Sequence, residues 1–202
     1  MKNTKKALLA LTCAVMLVVG SVMGTMAYLT STDTVTNTFT VGNVVITLDE
    51  APVDANGKEI AGDRVKANSY KLLPGHEYDK DPEIHVDANS ENCYLFVKVT
   101  NNIANIEDAT VNVAAQMDAK GWDVVDAANG IYVYADANGN PISVAKGTDV
   151  PVFDKIKVAG TVDNTTLAAY ANKTIEVVAY AIQVDGFETT PVADIWTAVG
   201  AK

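Results

Sequence analysis

From residue 28 onward, apolar positions recur mainly at every second residue. Val44, Ile46 and Leu48 alternate with Val45, Thr47 and Asp49, and Val111, Val113, Ala115 and Met117 alternate with Asn112, Ala114, Gln116 and Asp118. Both stretches predict half-buried strands. Thr174 to Val184 is apolar at nearly every position, which predicts a central strand covered on both sides, or one resting against a neighbouring subunit. Gly130 to Tyr134 and Pro141 to Val144 flank DANGN, where Asn138-Gly139 suits the positive backbone angles of a tight hairpin turn. Ile156 and Val158 alternate with Lys155 and Lys157 in another short strand.

Helical signals are few. Thr190 is a candidate cap, Pro191 suits the first helical position, and Val192, Ile195, Trp196 and Val199 form an i, i+3, i+4, i+7 stripe. Weaker candidates cover Thr165 to Asn172 and Ile103 to Ala109. Asp49 to Ser69 is polar and turn-rich, with Pro52, Asn56-Gly57 and Gly62, and reads as a surface loop, with or without a small hairpin of its own. Many short strands with little helix predict an all-β fold, an antiparallel β-sandwich with a few short helices.

The first 27 residues follow a different pattern. Lys2, Lys5 and Lys6 precede an apolar run from Ala7 to Val22, as in the core of a signal-peptide helix. A membrane anchor is the competing reading, but the run falls short of the about 20 residues that span a bilayer. Thr25 and Ala27 are small residues where a signal peptidase reads, so cleavage between Ala27 and Tyr28 is expected. Residues 28–202 would then form one domain.

The stretch GTMAYLTSTDTVTNTFTVGNVVITLDE resembles the amino-terminal signature of the TasA and camelysin family, secreted by Gram-positive bacteria and processed by the signal peptidase SipW. The matching positions are Gly24, Thr25, Ala27, Tyr28, Asp33, Asn37, Phe39, Gly42 and the strand Val44 to Leu48. Leu72, Pro74, Gly75, Lys80, Asn89, Asn92 and Tyr94 to Val99 are similar to a second family pattern, Leu-x-Pro-Gly followed by a basic residue, a polar turn and an apolar strand. The resemblance implies a jelly-roll form of the sandwich and a secreted fibre protein of the biofilm matrix. It also implies SipW, further copies of this chain and related matrix proteins as partners.

Charge fits an exported protein. Three of the 15 basic residues and none of the 25 acids lie in the first 27 positions, leaving 12 basic against 25 acidic groups. Such a surface repels nucleic acid and anionic lipid, so the membrane is expected to be met only through the uncleaved signal. Acid should weaken this self-repulsion and favour association. The chain ends in WTAVGAK, without an apolar helix, basic tail or sorting motif, which leads us to expect non-covalent attachment at the cell surface or in the matrix.

Cys13 lies in the signal and Cys93 starts an apolar strand. A lone exported cysteine pairs between chains or stays free; its place in the strand favours a buried thiol.

Catalytic patterns are missing. The family resemblance raises the question of a protease, because camelysin has been described as one. His76-Glu77 is not followed by a second histidine four positions after the first, and no GxSxG elbow, P-loop or dinucleotide fingerprint occurs. We therefore expect no enzyme and no cofactor. Asp54, Asn56, Asp136 and Asn138, in Asp-x-Asn-Gly turns, are weak calcium candidates, and Asp87, Asn89 and Glu91 also gather oxygens. The spacing departs from an EF-hand loop, and turns favour the same residues for backbone reasons.

Tyr28 to Val41 is rich in β-branched residues and carries Tyr28, Leu29, Val35 and Phe39, enough apolar surface to dock as an extended strand. It either completes its own sandwich or is donated to the next copy, where head-to-tail repetition builds a filament. The alternative function is a monomeric secreted surface binding protein or adhesin, using exposed aromatics such as Tyr132 and Tyr134. Those two tyrosines could equally pack beneath the Thr190 helix.

Overall fold

The computed structural model describes residues 42–200. The expected signal peptide, the Ala27–Tyr28 cleavage site and the segment Tyr28 to Val41 lie outside the described residues. Among the described residues, no helix is long and apolar enough to cross a membrane.

Among the described residues the chain is mostly β, with antiparallel pairing throughout and three short α-helices. Strands β1 (Ile46–Asp49), β3 (Glu83–Val86) and β7 (Asp149–Pro151) form one sheet in the order β1-β3-β7. Strands β5 (Trp122–Asp126), β6 (Ile131–Tyr134), β4 (Cys93–Asn101) and β9 (Ile175–Gln183) form a second, in the order β5-β6-β4-β9. A two-stranded ribbon pairs β2 (Glu77–Asp79) with β8 (Lys155–Lys157).

Strand β4 organises the interior because both of its faces are apolar. Cys93, Leu95, Val97 and Val99 share one core with Ile84 and Val86 of β3, Val150 of β7 and Trp122 of β5. Tyr94 and Phe96 face the other way, towards Val133, Ile182 and the helix α3 (Val192–Gly200) through Ile195 and Val199. A third cluster gathers Tyr78, Ile103, Ile106, Ile156, Val158 and Leu167 around the ribbon. Full burial of a side chain of this size contributes about 1.5–3 kcal/mol, so the core can hold the fold without a disulfide. Cys93 is buried and unpaired, and burial pushes its thiol up to about 11.

Three local expectations need correction. Val113 to Met117 is not a strand but the start of helix α1 (Val113–Ala119), in which the Asn112 side chain accepts a hydrogen bond from the Ala115 amide. Val113 and Met117 stand four residues apart and are both buried. A four-residue spacing suits one helical face as well as alternate strand positions, and the cap with Ala, Gln and Met decides for helix. Among the described residues strand β9 is the last strand of its sheet. It is apolar on both faces because Ile175, Val177, Ala179 and Ala181 meet the main core while Tyr180 and Ile182 meet the α3 side.

In the DANGN turn only Gly139 has a positive φ, at 79°. The Asp136 carboxylate accepts the Asn138 and Asn140 amides, each at 2.9 Å, which leaves a single residue to take the left-handed conformation. Pro141 and Val144 make isolated bridges to Ala135 and Cys93 and not a continuous strand. Lastly, Tyr132 and Tyr134 form neither an exposed aromatic face nor the floor under α3. They pack half-buried against the main core, with Tyr134 5.4 Å from the Trp122 ring, while Val133 points towards α3.

The remaining helical expectations fall close to observed elements. Helix α2 (Asn164–Ala168) is capped by Asp163, a single 3-10 turn covers Ala104–Ile106, and α3 begins after Pro191, whose carbonyl accepts the Ile195 amide. The surface loop over 49–69 is tightly tied. Glu50 and Val65 exchange backbone hydrogen bonds, and Val53 bridges Glu59.

Candidate functional site

Backbone alternation identifies which strand edges are open. The Val99 amide donates to Gly130 O and the Val184 amide to Asn92 O. In an antiparallel ladder with this phase, the residues opposite Val99, Val97 and Leu95 turn their N–H and C=O away from β4. Those residues are Val177, Ala179 and Ala181, and among the described residues no strand pairs with that outer edge of β9.

The same reasoning applies to β1. The Val86 amide donates to Thr148 O and the Asp87 amide to Val45 O, so Ile46 and Leu48, opposite Val86 and Ile84, direct their backbone away from β3. On that side Leu48 O accepts a hydrogen bond from Lys66 Nζ at 2.5 Å.

Between these two edges lies a groove of about 1120 Å³. Leu48 of β1 and Ile175 and Val177 of β9 line its walls, and Tyr70, Leu72 and Leu167 contribute further apolar surface. Its rim is anchored by ions. Arg64 holds Asp49 at 2.5 Å and Asp81 at 2.9 Å. Burial by itself would push the Asp49 carboxyl up, but Arg64 and His85 together bring it below its ordinary value. Deeper in the groove Glu50, only 4% exposed, accepts from Lys80 Nζ at 2.5 Å and from Asn68 Nδ2 at 3.0 Å. Burial and the Glu50 charge push the nearby Tyr70 phenol up.

The calcium candidates do not converge. Asp54 Oδ1 accepts the Asn56 and Lys58 amides at 2.8 and 2.9 Å, and the Asp136 carboxylate is used in the same manner in its own turn. Hydrogen bonds from Lys58 and Asn56, and from Asn140 and Asn138, hold these two carboxyls below their usual range. Asp87 likewise receives the Asn89 amide at 2.7 Å. Among the described residues no three His, Cys, Asp or Glu side chains gather in a metal-binding arrangement.

Sequence reasoning missed the groove and its polar residues. Glu50, Asn68 and Lys80 are spread over 31 positions with no motif linking them, and only the meeting of β1, the 58–69 loop and the end of β2 brings them together. No family model matches this sequence, and neither a curated protein nor a solved structure is similar to it.

Proposed function

We propose that this protein is a secreted structural subunit of extracellular fibres. In this reading it is a jelly-roll-like β-sandwich of the TasA and camelysin type, assembled by lending an extended amino-terminal strand to the next copy. The observation that carries the reading is the groove with partly apolar walls between the outer edges of β1 and β9, which no strand among the described residues pairs. An extended segment entering it would find outward backbone groups on both sides, with Leu48 O already engaged by Lys66, and apolar side chains between them, which is the chemistry of β-strand addition. Tyr28 to Val41 supplies a β-branched segment with Tyr28, Leu29, Val35 and Phe39 as apolar anchors. It precedes β1 in the sequence and, once residues 1–27 are removed, would be a free end that can reach a neighbour.

The protein is then a non-enzymatic component of the cell surface or biofilm matrix. Its partners are SipW, which would remove residues 1–27, further copies of itself and related matrix proteins. Removal of the signal peptide frees the donated strand, so export and assembly are coupled.

Electron microscopy with size-exclusion chromatography tests this on residues 28–202, on the same chain extended before Tyr28, and on Phe39→Asp. Filaments from the free end alone, lost in Phe39→Asp while the fold persists, are expected. Monomers from every form at neutral and acidic pH would overturn the fibre reading in favour of a monomeric binding protein.

A further inference from the structure

A buried amine, a carboxylate and a carboxamide meet at the inner end of the groove in an order that permits covalent chemistry. The two oxygens of Glu50 are divided between two neighbours. Oε2 accepts from Lys80 Nζ at 2.5 Å and Oε1 accepts from Asn68 Nδ2 at 3.0 Å. The Glu50 side chain is 5% exposed and that of Lys80 11%. The Tyr70 ring lies 5.9 Å from Nζ, adding an aromatic wall. The Asn68 amide is itself fixed, with Nδ2 donating to Ala51 O at 2.8 Å and Oδ1 accepting from the Val53 amide at 3.1 Å.

We propose that Lys80 and Asn68 condense into an intramolecular amide, with Glu50 as the catalytic acid and base. Within the existing hydrogen bond Nζ passes a proton to Glu50, leaving two neutral groups where two buried charges were costly. The neutral Nζ attacks Cγ of Asn68 and forms the new C–N bond. Negative charge developing on Oδ1 is met by the Val53 N–H, placed as an oxyanion donor. Glu50 then delivers a proton to Nδ2, the Cγ–Nδ2 bond breaks, and ammonia leaves through the groove that both residues line. Nζ keeps one hydrogen in the amide, and the ammonia takes up a proton on release. Lysine ammonium plus asparagine thus becomes a secondary amide plus ammonium, with no oxidant, cofactor or external enzyme.

Both reacting groups hydrogen-bond to one carboxylate, each on its own oxygen, which lowers the orientational cost of the encounter. Surface lysines and asparagines in water lack that holding and the shuttle. The bond would tie the 50–69 loop permanently to the end of β2, beside the rim that faces an incoming strand. It does not depend on the fibre reading, since a monomer carries the same three residues.

Intact-mass spectrometry of the purified full chain tests the proposal. The expected mass is lower than the sequence mass by one ammonia. Trypsin should release residues 67–71 joined to 72–98, uncut after Lys80. Lys80→Arg and Glu50→Gln should keep the full mass, with folding checked by circular dichroism. Asn68→Asp should lose one water instead of one ammonia, a positive readout that does not rely on a damaged variant. Wild-type protein at its full sequence mass would overturn the proposal. So would a mass loss that maps to a succinimide at Asn56-Gly57 or Asn138-Gly139.

Discussion

Nε2 of His85 lies 2.9 Å from Oδ1 of Asp49, joining the middle strand β3 to the groove-lining strand β1. The other ring nitrogen, Nδ1, is 2.6 Å from Asp149 of β7. With a carboxylate at each nitrogen, both must donate, so the ring is held as imidazolium. Burial alone would push His85 down, but the hydrogen bonds to Asp149 and Asp49 and their charges outweigh it and raise its pKa.

A raised histidine pKa stabilises the fold fully below the unfolded value near 6.5, and that contribution disappears as pH rises through the folded value. Thermal melts should therefore show a midpoint falling from pH 6 towards pH 8. His85→Gln should flatten this slope and cost about 1 kcal/mol at pH 6, a modest figure because Asp149 stands half in water. A slope unchanged in His85→Gln would remove the histidine from the account.

Glu107 gives a dependence that opposes stability at neutral pH. Burial pushes its carboxyl up, the hydrogen bonds from Asn101 and the Val113 amide relieve it only in part, and Oε1 has no partner. The ionised form is therefore disfavoured in the folded state, and its cost appears as pH rises above the unfolded value near 4.3. Glu107→Gln should raise stability at pH 7 by about 1 kcal/mol and give no gain at pH 4. Denaturant titrations at the two pH values separate these outcomes.

Gly130 is fixed by close approach. Its φ is +67°, and a Cβ there would lie 2.2 Å from Val99 O, next to the hydrogen bond that the Val99 amide donates to Gly130 O. Both the strand and the turn must move to relieve that overlap. Gly130→Ala should cost about 3 kcal/mol, measurable as a lower denaturation midpoint with wild-type secondary structure at low denaturant.

How much of this could be read in the sequence follows from the range of each signal. β1 and β8 show their own alternation, β6 flanks a turn signal and α3 shows its own stripe, so local pattern found them. Val113 to Met117 defeated the same test because its two buried residues fit both periods. For β9, apolar residues on both faces announced the cover that both faces have, but they say nothing about a neighbour in the plane of the sheet. Strand order is a long-range property, and with it the groove, the β1 and β9 edges and the Glu50, Asn68 and Lys80 contact stayed hidden. The Asp-x-Asn-Gly turns offered two readings in the sequence, and in the structure their carboxylates accept amides two and four residues on.

The outer edge of β9, which no strand among the described residues pairs, makes the most direct prediction about assembly. Ala179 turns its N–H outward and its small side chain towards the main core, so Ala179→Pro deletes an outward donor without removing a β4 hydrogen bond. Proline is tolerated at sheet edges for that reason. It also places a ring where an added strand would pair. The variant should fold, run as a monomer on size-exclusion chromatography and form no filaments under conditions where residues 28–202 do. It should also act as a chain terminator that still donates its own strand, shortening wild-type filaments when mixed at sub-stoichiometric amounts. Filaments of normal length from the pure variant would show that the β9 edge is not where the subunits join.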